Sequence, residues 1–189
     1  KYGVVKDYVL NLQIVLPTGE IMWTGANVLK NSTGYNLTQL IVGSEGTLAI
    51  VTKIVLKLLP HPKYDLLMLV PFASLEKATE AVSAIFRAGF TPSALELVEI
   101  DALKIVSKMV DSYAVPVTDD IAAHLIIEVD GNNMDILMSE MEQIAELMEL
   151  YEGGEVFFAD DAQQKAELWK LRRRTAAAVK IAGYTIEED

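Results

Sequence analysis

Residues 34–60 constrain the fold of this chain more than any other stretch, reading GYNLTQLIVGSEGTLAIVTKIVLKLLP. Three pieces with different physical logic follow one another there. Asn36, with Gln39 three residues later, has the form of a capping box, and Tyr35 and Leu40 stand where a hydrophobic staple would fix the helix entry. A short helix over residues 37–41 is predicted. Gly43-Ser44-Glu45-Gly46 follows as a turn whose glycines tolerate positive φ and let another surface come close to the backbone. From Thr47 to Leu59 almost every residue is β-branched or aliphatic, with Lys53 and Lys57 the only charges and Pro60 the stop. That pattern predicts a long, mostly buried strand. A short helix that delivers a glycine turn into such a strand presents bare amides to a ligand.

The 189 residues suffice for one large domain or two small ones. With 51% hydrophobic and 23% charged residues the composition is that of a soluble globular protein. No apolar run reaches the roughly 20 residues of a membrane helix, and Lys1 opens no signal-peptide pattern. Cysteine is absent, which excludes disulfides, thiolate metal sites and cysteine catalysis and fits a cytoplasmic protein. A net charge of −11 opposes nucleic-acid binding, which depends on phosphate contacts.

Ahead of the organising stretch, residues 8–16 alternate weakly as a strand, Pro17-Thr18-Gly19 supplies turn chemistry, and residues 20–24 return as a hairpin partner. Residues 25–33 form a polar connector. Pro60 and Pro62 flank His61 and mark a domain boundary, because proline forbids helix and removes ladder donors. Beyond it strands alternate with helices. Strands are predicted over residues 64–71, 93–98, 121–129 and 155–159. Ser74 caps a helix with Leu75, Ala78, Val82, Ile85 and Phe86 on one face. A short helix covers residues 100–110, and residues 111–120 are a turn-rich loop. Asn133 opens a helix with Met134, Leu137, Met138, Met141, Ile144 and Met148 at helical spacing. Asp160 or Asp161 caps a last helix that runs to about Ile181. The β-α-β-(α)-β-α-β order of residues 64–159 predicts a ferredoxin-like antiparallel sheet with helices on one face.

The motif Gly43-Ser44-Glu45-Gly46-Thr47-Leu48, with Asn31, Gly34 and Tyr35 before it and Ile50-Val51-Thr52 after it, resembles the FAD-linked oxidases acting on 2-hydroxy acids. These are the glycolate oxidase flavoprotein subunit and its D-lactate and D-2-hydroxyglutarate dehydrogenase relatives. Ala49 departs from the motif, since that family commonly has glycine there. The resemblance implies an α+β chain in which residues 1–60 end an FAD-binding domain of PCMH type. Residues 61–189 would be a ferredoxin-like cap, or substrate, domain, incomplete at its C-terminal side. It further implies FAD as cofactor, with Gly43, Gly46, Thr47 and Ile50 against it. The activity implied is oxidation of a small 2-hydroxy acid, a base taking the hydroxyl proton as hydride passes from the α-carbon to flavin. The family's base and metal ligands are histidines and an acid in a later segment, so neither a catalytic residue nor a metal ligand is assigned here. Residues 1–189 alone are expected to have little or no dehydrogenase activity, and turnover assays on the purified segment check this.

Several residues carry two readings. The Gly43–Gly46 turn is either a flavin wall or a tight helix-to-strand connection, and it lacks the GxGxxG spacing of a Rossmann site. Glu45 is expected to point away from the cofactor and brace the loop. Lys30 and Asn31 either touch the cofactor or shape their connector. Arg172 lies in a basic run, Lys170 to Arg174, that suits the C-terminal half of a helix whatever its function. Trp169-x-x-Arg172 also matches the spacing at which the resembled dehydrogenases grip the substrate carboxylate, and a guanidinium offers a two-pronged fork for it. Ala176 stands where relatives offer a hydroxyl. Glu96 and Glu99 either act at the site or belong to a simple alternation with Leu95, Leu97 and Ile100. His124 reads as packed in its strand, and His61 as part of a connector. The methionine-rich helix reads as core filler or as a subunit interface. A non-catalytic ferredoxin-like ligand-binding or assembly module is the rival to the enzyme. The electron acceptor and any partner subunits or homo-oligomer are left open by these residues.

Overall fold

The computed structural model describes residues 1–109, 115, 117–159 and 161–183. Two compact units form, one of Tyr2–His61 and one of the residues from Pro62 onward together with Lys1.

In the first unit a 3₁₀ turn, Val5–Tyr8, leads into β1 (Val9–Val15), which turns back as β2 (Ile21–Trp23). Gly19 closes the hairpin at φ 87°, its N–H donating to the Leu16 carbonyl. Then come α1 (Leu37–Ile41) and β3 (Ile50–Leu56), giving an antiparallel sheet of order β2-β1-β3. Leu12, Ile14, Ile41 and Ala49 make the buried core. The helix forms where its sequence predicts, but only half the box is made. Asn36 Oδ1 accepts from the Gln39 N–H at 3.0 Å, while the Gln39 side chain donates to the Lys6 carbonyl instead of the cap. No staple forms, for Tyr35 and Leu40 are both exposed. The expectation of a buried strand after the glycine turn is corrected as well. β3 is solvent-exposed along nearly its whole length, being an edge strand with only β1 beside it.

A buried polar network ties this sheet to its helix. Thr24 Oγ1 lies 2.8 Å from Thr38 Oγ1 and accepts the Leu12 N–H, and Asn11 Oδ1 accepts the Gly25 N–H. Buried polar groups persist where each finds such a partner. A Cβ at Gly25 would meet Thr38 Oγ1 at 3.1 Å, so a side chain there would require Thr38 to shift by a few tenths of an ångström.

The second unit contains β4 (Tyr64–Phe72), α2 (Leu75–Arg87), β5 (Ala94–Glu99), α3 (Ile100–Val106), β6 (Ala123–Gly131), α4 (Met134–Leu150), β7 (Phe157–Phe158) and α5 (Ala162–Ile181). All pairings are antiparallel and the order is β5-β6-β4-β7, the ferredoxin-like arrangement. Ser74, Asn133 and Asp161 each cap their helix by accepting the N–H three residues on. Asp160, the other candidate cap, lies outside the described residues, as do residue 110 at the end of the predicted short helix and residues 111–114 and 116 of the turn-rich loop.

Strands β4 and β6 are apolar on both faces, and this decides the layering. Met68, Val70, Phe72, Leu125 and Ile127 pack against α2 and α4. Leu67, Leu69 and Ile126, pointing the other way, pack against Leu103 and Val106 of α3 and Leu168, Leu171 and Ala178 of α5. Helices on one face alone is therefore corrected: the two crossover helices share a face, and α3 and α5 cover the opposite one. The stripe expected on α2 is also shifted. Ala78, Ala81, Ala84 and Ile85 are buried, whereas Leu75 and Phe86 are exposed.

Within α4, Met141 is 1% exposed and Met138 is 51% exposed. Met141→Ala is expected to cost about 2–5 kcal/mol through lost burial and the cavity left behind, and Met138→Ala less than about 1 kcal/mol. Denaturant midpoints of the two variants check the contrast.

Candidate functional site

The glycine turn of the first unit adopts the backbone its residues allow. Gly43 and Gly46 sit at φ 87° and 77°, and Glu45 joins them at 51°. A Cβ built at either glycine meets nothing within 4 Å, so the outer side of the turn is open. The bracing is done by Thr47, whose hydroxyl donates to the Ser44 carbonyl at 2.6 Å. Glu45, expected to brace the loop, is exposed and bonds to none of the described residues. Ala49 is 6% exposed and belongs to the core, so its methyl points away from this open side, while Ile50 beside it is 67% exposed. Gly43, Gly46, Thr47 and Ile50 thus share one open loop and strand start. Apolar surface beside reachable backbone suits a flat aromatic ring system. Asn31 shapes its own connector, its Oδ1 accepting from the Thr33 N–H at 3.1 Å.

Arg172 belongs to the second unit. Three side chains on α5 at positions 165, 169 and 172 fall on one stripe, and each reaches a different strand. Lys165 Nζ binds Asp65 of β4 at 2.7 Å, Trp169 Nε1 donates to Glu128 of β6 at 3.0 Å, and an Arg172 terminal nitrogen donates to Glu96 of β5 at 2.9 Å. Helix α5 therefore crosses the sheet in the order β4, β6, β5, fastened once to each. Ser93 secures Glu128 in turn, its hydroxyl 2.8 Å from the second carboxylate oxygen. Among the described residues Arg172 makes no other polar contact, so most of its donor fork is uncommitted. Its side chain is 39% exposed. Glu96, weighed in the sequence, is thus brought to Arg172. Glu128 was missed, because a single acid in an apolar strand gives no spacing signal.

A family model described as FAD linked oxidases, C-terminal domain, matches residues 61–189. The chain belongs to this family of FAD-linked oxidases. It is 34% identical to a D-lactate dehydrogenase of Anaerostipes hadrus over 191 aligned residues, covering 100% of this chain and 40% of that protein. It is likewise 34% identical to the glycolate oxidase subunit GlcD of Bacillus subtilis, with 100% and 40% covered. The chain thus spans about two fifths of the length of these curated relatives. In fold it resembles alkyldihydroxyacetonephosphate synthase at a TM-score of 0.67 and 19% identity, over 96% of this chain and 35% of that one. The α+β architecture read from the sequence is that of this oxidase family.

Two further features of this FAD-linked oxidase segment bear on chemistry. Among the described residues no group of three or more histidines and acids gathers as a metal site, and no helix is long and apolar enough to cross a membrane. His124 on β6 is fully buried, and neither ring nitrogen has a hydrogen-bond partner. Burial lowers its pKa from 6.5 to about 4, because an imidazolium there would lose its hydration. Between those values the unfolded chain binds a proton that the folded chain refuses. Stability is therefore full above about pH 6.5 and declines as pH falls towards 4. Denaturant unfolding across pH 4–7 should show this loss. The His124→Leu variant should show a shallower slope and hold its stability better at pH 5.

Proposed function

We propose that this chain works within an FAD-dependent oxidoreductase that oxidises a small 2-hydroxy acid of the glycolate or D-lactate type. Residues 1–60 serve as the end of its FAD-binding domain and residues 61–189 as its cap domain. The observation that carries the reading is Arg172, a half-exposed guanidinium fastened through one nitrogen with the rest of its fork uncommitted. A carboxylate is the natural occupant of such a fork. The 34% identity to a D-lactate dehydrogenase and to a glycolate oxidase subunit over the whole chain supports the substrate class.

Gly43, Gly46, Thr47 and Ile50 would lie along FAD, on the open side of the turn. FAD, when bound, would supply the redox chemistry as the hydride acceptor. The role left to this chain is placement. Arg172 binds the substrate carboxylate and so fixes which carbon is presented, and Trp169, tied to Glu128, stiffens the turn of α5 that carries it. Ala176, one helical turn on, adds no hydroxyl contact.

The full-length flavoprotein tests this. Its absorbance near 450 nm should bleach anaerobically with glycolate or lactate. Arg172→Ala should raise KM about 10–100-fold, the loss of charge-assisted hydrogen bonds, and Arg172→Lys should fall between, keeping charge without the fork. Absence of flavin absorbance would favour a ligand-binding module. An unchanged KM in Arg172→Ala would remove Arg172 from the site.

A further inference from the structure

Strand β7 ends the second sheet, and the helix beside it is acidic along one flank. We propose that the cleft between α4 and β7 is a docking surface for an extended segment of a partner protein. In that segment basic and apolar residues alternate, and it adds to the free edge of β7 as a further strand.

The strand edge comes first. The sheet order stops at β7. The Ala159 N–H donates to the Leu67 carbonyl, and Phe157 faces Leu69 in the same register. In an antiparallel ladder the residue between two such bonded pairs turns its N–H and carbonyl away from the partner strand. That residue is Phe158, and neither group has a partner among the described residues. An open edge of this kind is a template for another strand. Phe158 shares its sheet face with Met68, its register partner, which packs under α2 and α4. The Phe158 ring is nevertheless exposed, because α4 stops short of covering it.

The cleft follows from that gap. Two hollows, of about 660 and 420 Å³, adjoin there, and Glu142 and Phe158 line both. Met134 and Met138 form an apolar wall, and Glu142, Glu146 and Glu149 continue along the same flank of α4 at helical spacing. From Met134 to Glu149 the helix rises about 22 Å, a distance that an extended chain covers in about seven residues.

Charge selects the occupant. Residues 131–164 contain nine acids and no lysine, arginine or histidine. Lys165 is the cation among the residues that line the cleft, and it is held by the Asp65 carboxylate and carbonyl. Lys77 and Arg87 of α2 bind Glu152 and Tyr151, just past the end of α4. Lys63 stands ahead of the helix and lines neither hollow. Nor do Lys170, Arg172, Arg173 and Arg174, further along α5 on the opposite side of the sheet. Glu142, Glu146 and Glu149 form no ion pair among the described residues. Basic side chains on the incoming segment complement these acids, and its apolar ones meet Met134, Met138 and Phe158. A second copy of this chain does not suit the cleft, since a two-fold contact would set the acidic flank against itself.

The test uses the full-length flavoprotein and a fluorescein-labelled peptide of about eight residues, lysine alternating with valine, long enough to span the cleft. Fluorescence anisotropy should show binding at low salt that weakens as salt is added. In hydrogen exchange the Phe158 amide should be fast in the free protein and slow with peptide bound. Glu142→Gln/Glu146→Gln should weaken binding about ten-fold. Glu20→Gln/Glu76→Gln removes the same charge away from the cleft and should change it less than about two-fold. A peptide methylated on alternate backbone nitrogens keeps its charge, loses its ladder donors, and should neither bind comparably nor slow Phe158. Equal weakening by the two variant pairs would overturn the docking surface, since it would show general attraction to an acidic protein. Unchanged exchange at Phe158, or undiminished binding of the methylated peptide, would overturn the added strand. Slow exchange at Phe158 in the free flavoprotein would show the edge already taken, by another part of the same protein or, where protection grows with concentration, by a second copy. Either result would overturn the proposal.

Discussion

Strands β4 and β6 are apolar on both faces, and neither face can be left in water. A ferredoxin-like sheet has crossover helices on one side only. Leu67, Leu69 and Ile126 on the other side require a second cover, and α3 and α5 provide it. Burying a Leu or Ile side chain contributes about 1.5–3 kcal/mol, so this demand outweighs any single polar contact on that face. Arg172 comes to the sheet as a consequence. Leu168, Leu171 and Ala178 seat the helix, and the polar stripe of Lys165, Trp169 and Arg172 follows at its edge.

The polar stripe fixes what the apolar contacts leave free. Side chains of similar shape allow a helix to slide or roll at small cost, whereas a directional bond to each of three strands sets its register. Surface ion pairs contribute little to stability, and their value here lies in placement. Asp65, Glu96 and Glu128 are the acids of this sheet face that meet α5, at the three points where it carries Lys165, Arg172 and Trp169. Structural fastening and the proposed substrate chemistry thus use the same residues.

Much of this was legible in the sequence, for reasons that differ by element. The caps at Asn36, Ser74, Asn133 and Asp161 are local signals, and each forms its expected bond. Strand order followed from the alternation of elements. Burial of β3 was misjudged, because aliphatic composition shows that a strand can be covered and not which surface covers it. The second helical layer was missed for a related reason: runs such as Leu66–Val70 and Leu125–Ile127 have no polar face, so periodicity could not reveal that both sides are used. Trp169 and Arg172 stood out by their spacing on one helix. Glu96 was weighed by itself and Glu128 was missed, and their pairing with this helix was not legible, since they lie 76 and 41 positions away and only the β5–β6 register sets them side by side.

The most direct measurement is a crystal structure of the full-length flavoprotein soaked with propanoate. The account predicts the carboxylate within hydrogen-bond distance of the Arg172 guanidinium, on the edge not taken by Glu96, with Trp169 still bonded to Glu128. A carboxylate bound elsewhere, with Arg172 turned to solvent or sealed beneath other side chains, would contradict it.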